Sequence, residues 1–111
     1  MIRQLGAAEL ARLRAAAAPN DPSAPLVLDV REPWEVALCS LPDSVTIPMR
    51  EIPARLAELD PARHIVCLCH HGGRSQQVAM FLEHYGFTTL SNLAGGIDAW
   101  AREVDPSVAR Y

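Results

Sequence analysis

Ile65-Val66-Cys67-Leu68-Cys69-His70-His71-Gly72-Gly73-Arg74-Ser75 changes character twice, and that change decides the fold. The segment Ile65 to Cys69 is continuously apolar. Such a run suits a strand covered on both faces, because a half-exposed strand alternates apolar with polar residues. Two histidines and two adjacent glycines then force a tight loop. From Ser75 onward Val78, Phe81, Leu82 and Tyr85 recur at spacings of three and four, the period of a helix. A buried strand that passes through a glycine loop directly into a helix is half of a parallel strand-helix-strand unit.

Apolar runs of the same kind recur at Leu26 to Val30, at Val45 to Ile47 and around Phe87 to Leu90, and Ile2 to Leu5 adds an edge strand. Helical stretches lie between them. Glu51 to Leu59 presents Ile52, Leu56 and Leu59 on one face, and Gly86 is placed to cap the helix that starts at Ser75. Met1 to Ala18 carries an Ala-rich surface helix led by Leu10 and Leu13. The proline-rich stretch from Pro19 to Pro25 can be neither helix nor central strand, so it reads as a connector. The expectation is an α/β fold: one domain over 1–111, core about 26–102, with a small parallel sheet of four to five strands and helices on both faces. Ligands of such sheets sit at the carboxyl ends of the strands, where the loops here begin at Arg31, Cys69 and Asn92.

Composition narrows the function. The chain has 111 residues, half of them hydrophobic, enough for one core. Its net charge is −3 and its ten basic residues are scattered, so a nucleic-acid backbone would find no basic stripe to bind. No apolar run approaches the roughly 20 residues that span a bilayer. Arg3, Glu9, Arg12 and Arg14 interrupt the N-terminal segment where an export signal needs an apolar core. Three cysteines cannot all pair, which favours a reducing, cytoplasmic setting in which thiols are kept for chemistry.

Cys69 is the candidate nucleophile. A loop through Gly72 and Gly73 can turn its amide N–H groups inward as an anion nest, and the helix that follows points its positive end at the same place. A free cysteine titrates near about 8.5, and a well-placed helix terminus is worth up to about 2 kcal/mol, or roughly one and a half pKa units. Arg74 adds a fixed positive charge. The thiol is thereby pushed towards the thiolate.

Three segments stand in register: Asp29-Val30-Arg31-Glu32, then Cys69 through Ser75, then Gly95-Gly96-Ile97-Asp98-Ala99-Trp100. In order and separation they resemble the motifs of the single-domain rhodanese-like sulfurtransferases, and the resemblance covers about Leu26 to Arg102. It implies thiosulfate sulfurtransferase activity without a cofactor. A donor such as thiosulfate would lose its outer sulfur to Cys69, the catalytic position, and a thiol or sulfur-carrier protein would take the sulfur from the resulting persulfide. It further implies that His70, His71, Gly72, Gly73, Arg74 and Ser75 form the loop that holds the substrate. One departure stands out: where family members often carry Gly-His before the second core strand, this chain has Cys39-Ser40. The ending from Val104 to Tyr111 resembles tails on some bacterial members.

Asp29 and Arg31, at the end of a strand, are expected to brace the loop from behind, with direct substrate contact as the alternative. His70 and His71 either lend donors or charge to a bound anion or face solvent. The run from Cys67 to His71 suggests metal ligation, but structural zinc draws on two separated ligand pairs and no second pair exists, so no metal is expected. Cys67 is expected in the core, and Cys39 is either an ordinary cysteine or a resolving thiol. Two rival functions are a cysteine-loop phosphatase or arsenate reductase, whose loop places five residues between cysteine and arginine where this chain has four, and a non-catalytic module, which would have lost the cysteine.

Overall fold

The computed structural model describes residues 1–18, 21 and 23–111, so the Pro19–Pro25 connector lies partly outside the described residues. In chain order the elements are β1 (Ile2–Leu5), α1 (Ala7–Ala15), β2 (Leu26–Asp29), α2 (Pro33–Leu38), β3 (Val45–Thr46), two 3-10 turns (Met49–Glu51 and Pro53–Glu58), β4 (Ile65–Leu68), α3 (Gly73–His84), β5 (Leu90–Leu93) and α4 (Gly96–Glu103). The strands form one sheet in the order β1-β5-β4-β2-β3. Every neighbouring pair is parallel.

β4 lies at the centre, and all four of its residues are buried. Its side chains alternate between two cores. Ile65 and Cys67, with Cys69 just past the strand, join Leu28, Val30, Ile47, Val78 and Leu82 beneath α3. Val66 and Leu68 join Leu5, Leu10, Val27, Leu93, Ile97 and Trp100 beneath α1 and α4. Each such aliphatic side chain contributes about 1.5–3 kcal/mol when fully buried. Helices therefore cover both faces of the central strands, as their continuous apolar runs require, whereas both residues of the edge strand β3 are exposed, contrary to the reading of Val45 to Ile47 as a covered strand.

The chain leaves β2 towards one edge of the sheet, through β3, and leaves β4 towards the other, through β5. The carboxyl ends of β2 and β4 thus flank the point where the winding reverses, the place where open α/β sheets bind ligands. The segments that follow these two strands build the site.

Four further expectations change. Glu51 to Leu59 is not an α-helix. Pro53 has no amide hydrogen to give the Met49 carbonyl, so Ile52 N–H closes a tighter turn on Met49 at 3.3 Å, and Arg55 kinks the second turn at φ −118°, ψ 16°. The last strand begins at Leu90, three residues later than Phe87. Phe87 instead finishes the turn after α3, donating its N–H to Leu82 O at 3.1 Å, and buries its ring in the α3-side core. Leu13 lies on the outer side of α1 at 36% exposure, whereas Leu10 is fully buried. Finally, α3 starts at Gly73, two residues before Ser75.

Candidate active site

Cys69 directly follows β4 and is 1% exposed. Its Sγ accepts the Gly72 N–H at 3.0 Å and lies 3.3 Å from Ser75 Oγ. Burial pushes the thiol up. Donors from the Ser75 hydroxyl and from the amides of Ser75, Gly72 and His71 outweigh burial and hold it below its ordinary value. One loop amide and one hydroxyl thus converge on Sγ.

Two glycines make this geometry possible. Gly72 has φ +110°, a conformation that side chains rarely adopt, and it turns its N–H towards Sγ. Gly73, its neighbour, is the first residue of α3 and needs no such freedom. Gly96 serves a different purpose. A Cβ there would lie 2.3 Å from His70 O and 2.5 Å from Cys69 O, so the start of α4 can rest on the loop backbone only as glycine. From there Ile97 N–H bonds Cys69 O at 2.9 Å and Asp98 N–H bonds His70 O at 3.2 Å.

Ser75 is fully buried, and its Oγ lies 2.5 Å from Asn92 Oδ1. A hydroxyl has one proton to give. With a neutral thiol that proton can go to Asn92 while Ser75 accepts from the S–H; with a thiolate it turns to Sγ. Asn92 is fixed by its own amide, which donates to Gly72 O at 3.1 Å and to Gln4 Oε1 at 3.0 Å.

Arg74 points at Glu35. Its Nη1 and Nη2 donate to the two oxygens of that carboxylate at 2.7 and 2.8 Å. This bidentate pair holds the Glu35 carboxyl down to about 2, the strongest of several influences on it. A guanidinium has five N–H donors, so three remain, and the Arg74 side chain is 37% exposed beside the loop. Arg74 is not among the groups that chiefly lower Cys69, although its guanidinium and the Cys69 thiolate attract each other through space.

Asp29 and Arg31 are fully buried and pair through Nε to Oδ1 at 2.9 Å and Nη2 to Oδ2 at 2.7 Å. Among the described residues neither hydrogen-bonds the 69–75 loop. Arg31 instead ties down α2 and the tail, donating to Cys39 O at 2.7 Å, Glu35 O at 3.3 Å and Tyr111 Oη at 3.1 Å. Arg31 contacts Glu35, whose carboxylate in turn pairs with Arg74 of the loop. Cys39 caps the end of α2 beside Arg31, and Cys67 is buried in the α3-side core with its thiol pushed up to about 12, chiefly by burial.

His70 is sandwiched. Tyr111 stacks on its ring at 3.9 Å with planes 10° apart, and His71 stacks at 3.9 Å and 24°. Burial pushes the His70 imidazole down, and His71 pushes the same way, which favours its neutral form. His70, His71 and Asp98 offer ligand atoms within 4.8 Å of one another. The two Asp98 oxygens, however, already accept from Arg102 Nε at 3.1 Å and Arg110 Nε at 3.0 Å.

Sequence reasoning missed Glu35, Tyr111 and the part played by Asn92. A signal for Glu35 was present, because Glu32-Pro33-Trp34-Glu35 has the spacing of a capping box with proline at the first helical position. Tyr111 has no local signal. A cleft of about 700 Å³ lined in part by Leu26, Arg63 and Trp100 shares no residue with the loop.

The model of the rhodanese-like domain matches residues 7–103. This chain belongs to the rhodanese-like family. A sulfurtransferase of Allochromatium vinosum is 42% identical over 84 residues, which cover 76% of this chain and 78% of that protein. A chloroplastic rhodanese-like/PpiC domain-containing protein of Arabidopsis thaliana is 40% identical over 89 residues, 77% of this chain; the match spans only 30% of that longer protein. The crystal structure of a rhodanese-related protein from Thermoplasma volcanium superimposes with a TM-score of 0.80 at 31% identity, over 98% of this chain and 99% of that one. These relatives support sulfur transfer as the general class of chemistry for the rhodanese-like domain. Among its described residues no helix is long and apolar enough to cross a membrane.

Proposed function

We propose that this rhodanese-like chain is a thiosulfate sulfurtransferase, acting in the cytoplasm, that carries sulfur as a persulfide on Cys69. The observation that supports this most is the Cys69 thiol itself: buried, yet held below its ordinary value by donors of its own loop. Cys69 thiolate attacks the outer sulfur of thiosulfate. The new bond joins Sγ to that sulfur, the donor's S–S bond breaks, and its electron pair leaves with sulfite. An acceptor thiolate then attacks the outer sulfur of the persulfide, takes it, and returns Cys69 as thiolate. A low-molecular-weight thiol or a sulfur-carrier protein fits the second step.

In this reading the amides that now face Sγ follow the charge outward to the persulfide sulfur, and the three unspent N–H groups of Arg74 hold the sulfonate oxygens of the donor. Loop size favours sulfur over phosphorus. A phosphoryl group in flight presents three charged oxygens, each of which wants a donor, whereas a persulfide presents one terminal sulfur. Four residues between Cys69 and Arg74 suit the smaller group.

The test is an assay of the purified chain with thiosulfate and a thiol acceptor, following sulfite release, alongside aryl phosphate hydrolysis. Sulfite release with negligible phosphate release is expected. Phosphatase turnover without sulfite release would overturn the proposal.

A further inference from the structure

Tyr111 lies 42 positions after Cys69 in the sequence, yet it meets the site on two sides. Its ring covers His70. Its hydroxyl donates to Glu35 Oε1 at 2.9 Å and accepts from Arg31 Nη1 at 3.1 Å. The stretch that delivers it is itself pinned: Asp105 N–H bonds Trp100 O at 3.0 Å, Val108 N–H bonds Asp105 O at 3.1 Å, and Arg110 pairs with Asp98. Trp34 packs edge-on against the Tyr111 ring, with centroids 6.2 Å apart.

Glu35 is the hinge of this arrangement. Oε2 accepts from Glu32 N–H at 2.8 Å and from Arg74 Nη1, while Oε1 accepts from Arg74 Nη2 and from Tyr111. Each oxygen thus has two donors, and the side chain is 4% exposed. Among the described residues, Tyr111 supplies the one donor that comes from neither Glu32 at the start of α2 nor Arg74. It stays a donor throughout the neutral range, since burial, reinforced by Glu35, pushes the phenol up to about 12.

We propose that Tyr111 is a positioning residue for anion binding: its hydroxyl fixes the plane of the Glu35 carboxylate, and that plane aims the Arg74 guanidinium beside the loop. The proposal rests on the reading above in which Arg74 holds the donor's sulfonate. Without the hydroxyl, Oε1 loses a donor, the backbone holds the carboxylate at Oε2 alone through Glu32 N–H, and the side-by-side pair with Arg74 is less tightly fixed in direction. The donors to Sγ involve Gly72 and Ser75, not Tyr111, so the chemical step should be spared.

Tyr111→Phe keeps the ring on His70 and removes only the hydroxyl. The expected result is a KM for thiosulfate raised about 3- to 10-fold with kcat within about twofold of wild type. Methanesulfonate, an anion with no sulfur to give, provides a readout without turnover. Its Kd, from an NMR titration that follows the Gly72 and Ser75 amides, should rise by the same factor. In an Arg74→Ala background the further change Tyr111→Phe should have no effect on that Kd, because the two residues act through one path. A lost kcat with unchanged KM, an unchanged methanesulfonate Kd, no methanesulfonate binding to wild type, or factors that multiply in the double variant would each overturn the proposal. A wild type that binds methanesulfonate but transfers no sulfur refutes the sulfurtransferase reading instead, and the Kd values still decide the role of Tyr111.

Discussion

Cys67 and Cys69 are two residues apart, on the same face of the same stretch, and are 0% and 1% exposed. Their chemistry diverges. The Cys67 thiol is pushed up to about 12, by burial first and by the neighbouring Cys69 second. The Cys69 thiol is almost as little exposed but lies less deep in the core, and the donors of its loop hold it below its ordinary value. What separates them is where the strand stops. At Cys67 the backbone amides are engaged in the sheet, where it sits opposite Leu28 and Asn92. At Cys69 the ladder has ended, and amides freed from it turn towards Sγ. Burial alone makes an inert thiol; burial with unspent donors makes a nucleophile.

The sharpest break between the two is catalytic. Cys69→Ser should cut sulfur transfer by on the order of 10³-fold or more, since it removes the atom that bonds to sulfur. Cys67→Ala should cost about 1 kcal/mol of stability and leave the rate within about threefold. Steady-state rates and thermal melts on both variants check this.

Alkylation by iodoacetamide should separate the thiols next. Cys69 should react at least about 10²-fold faster than Cys67 in the folded chain, because only the thiolate attacks and Cys67 holds its proton throughout the neutral range. The sign of the pH dependence follows from the lowered Cys69 value. Its rate should rise with pH and level off below the pH at which an ordinary thiol titrates, while Cys67 stays unreactive until the chain unfolds. Peptide mapping across a pH series reads both.

The smallest effects distinguish the sources of the Cys69 shift. A hydrogen bond to a charged group is worth about 1.5–3 kcal/mol, so Ser75→Ala should raise the Cys69 midpoint by roughly one unit and slow alkylation at neutral pH about tenfold. Arg74→Ala should move the midpoint by less than about half a unit, because its guanidinium is turned to Glu35. An equal shift in the two variants would return Arg74 to the role of activating charge that its place in the sequence suggests.

The sequence made the centre of the molecule legible and the rim less so. β4 is readable because burial on both faces leaves an unbroken apolar run. β5 is harder to see: Ser91 and Asn92 are polar residues buried within it, Ser91 bonded to His64 Nε2 at 2.8 Å and Asn92 to Ser75, Gly72 and Gln4. Hydropathy sees their polarity and not their partners, so it places the strand at Phe87 instead. Cys69 was legible because its loop is local, with nucleophile, glycines and helix start adjacent in sequence. Glu35 and Tyr111 were not. Glu35 meets Arg74 across 39 positions and Tyr111 across 76, and nothing in a local window reports a partner at that distance.

The measurement that bears most directly on the difference between the two thiols is mass mapping after incubation with thiosulfate. The chain should gain the mass of one sulfur atom, lost on adding a reducing thiol, and fragmentation should place it on Cys69. Sulfur on Cys67 or Cys39, or undiminished labelling of Cys69→Ser, would contradict it.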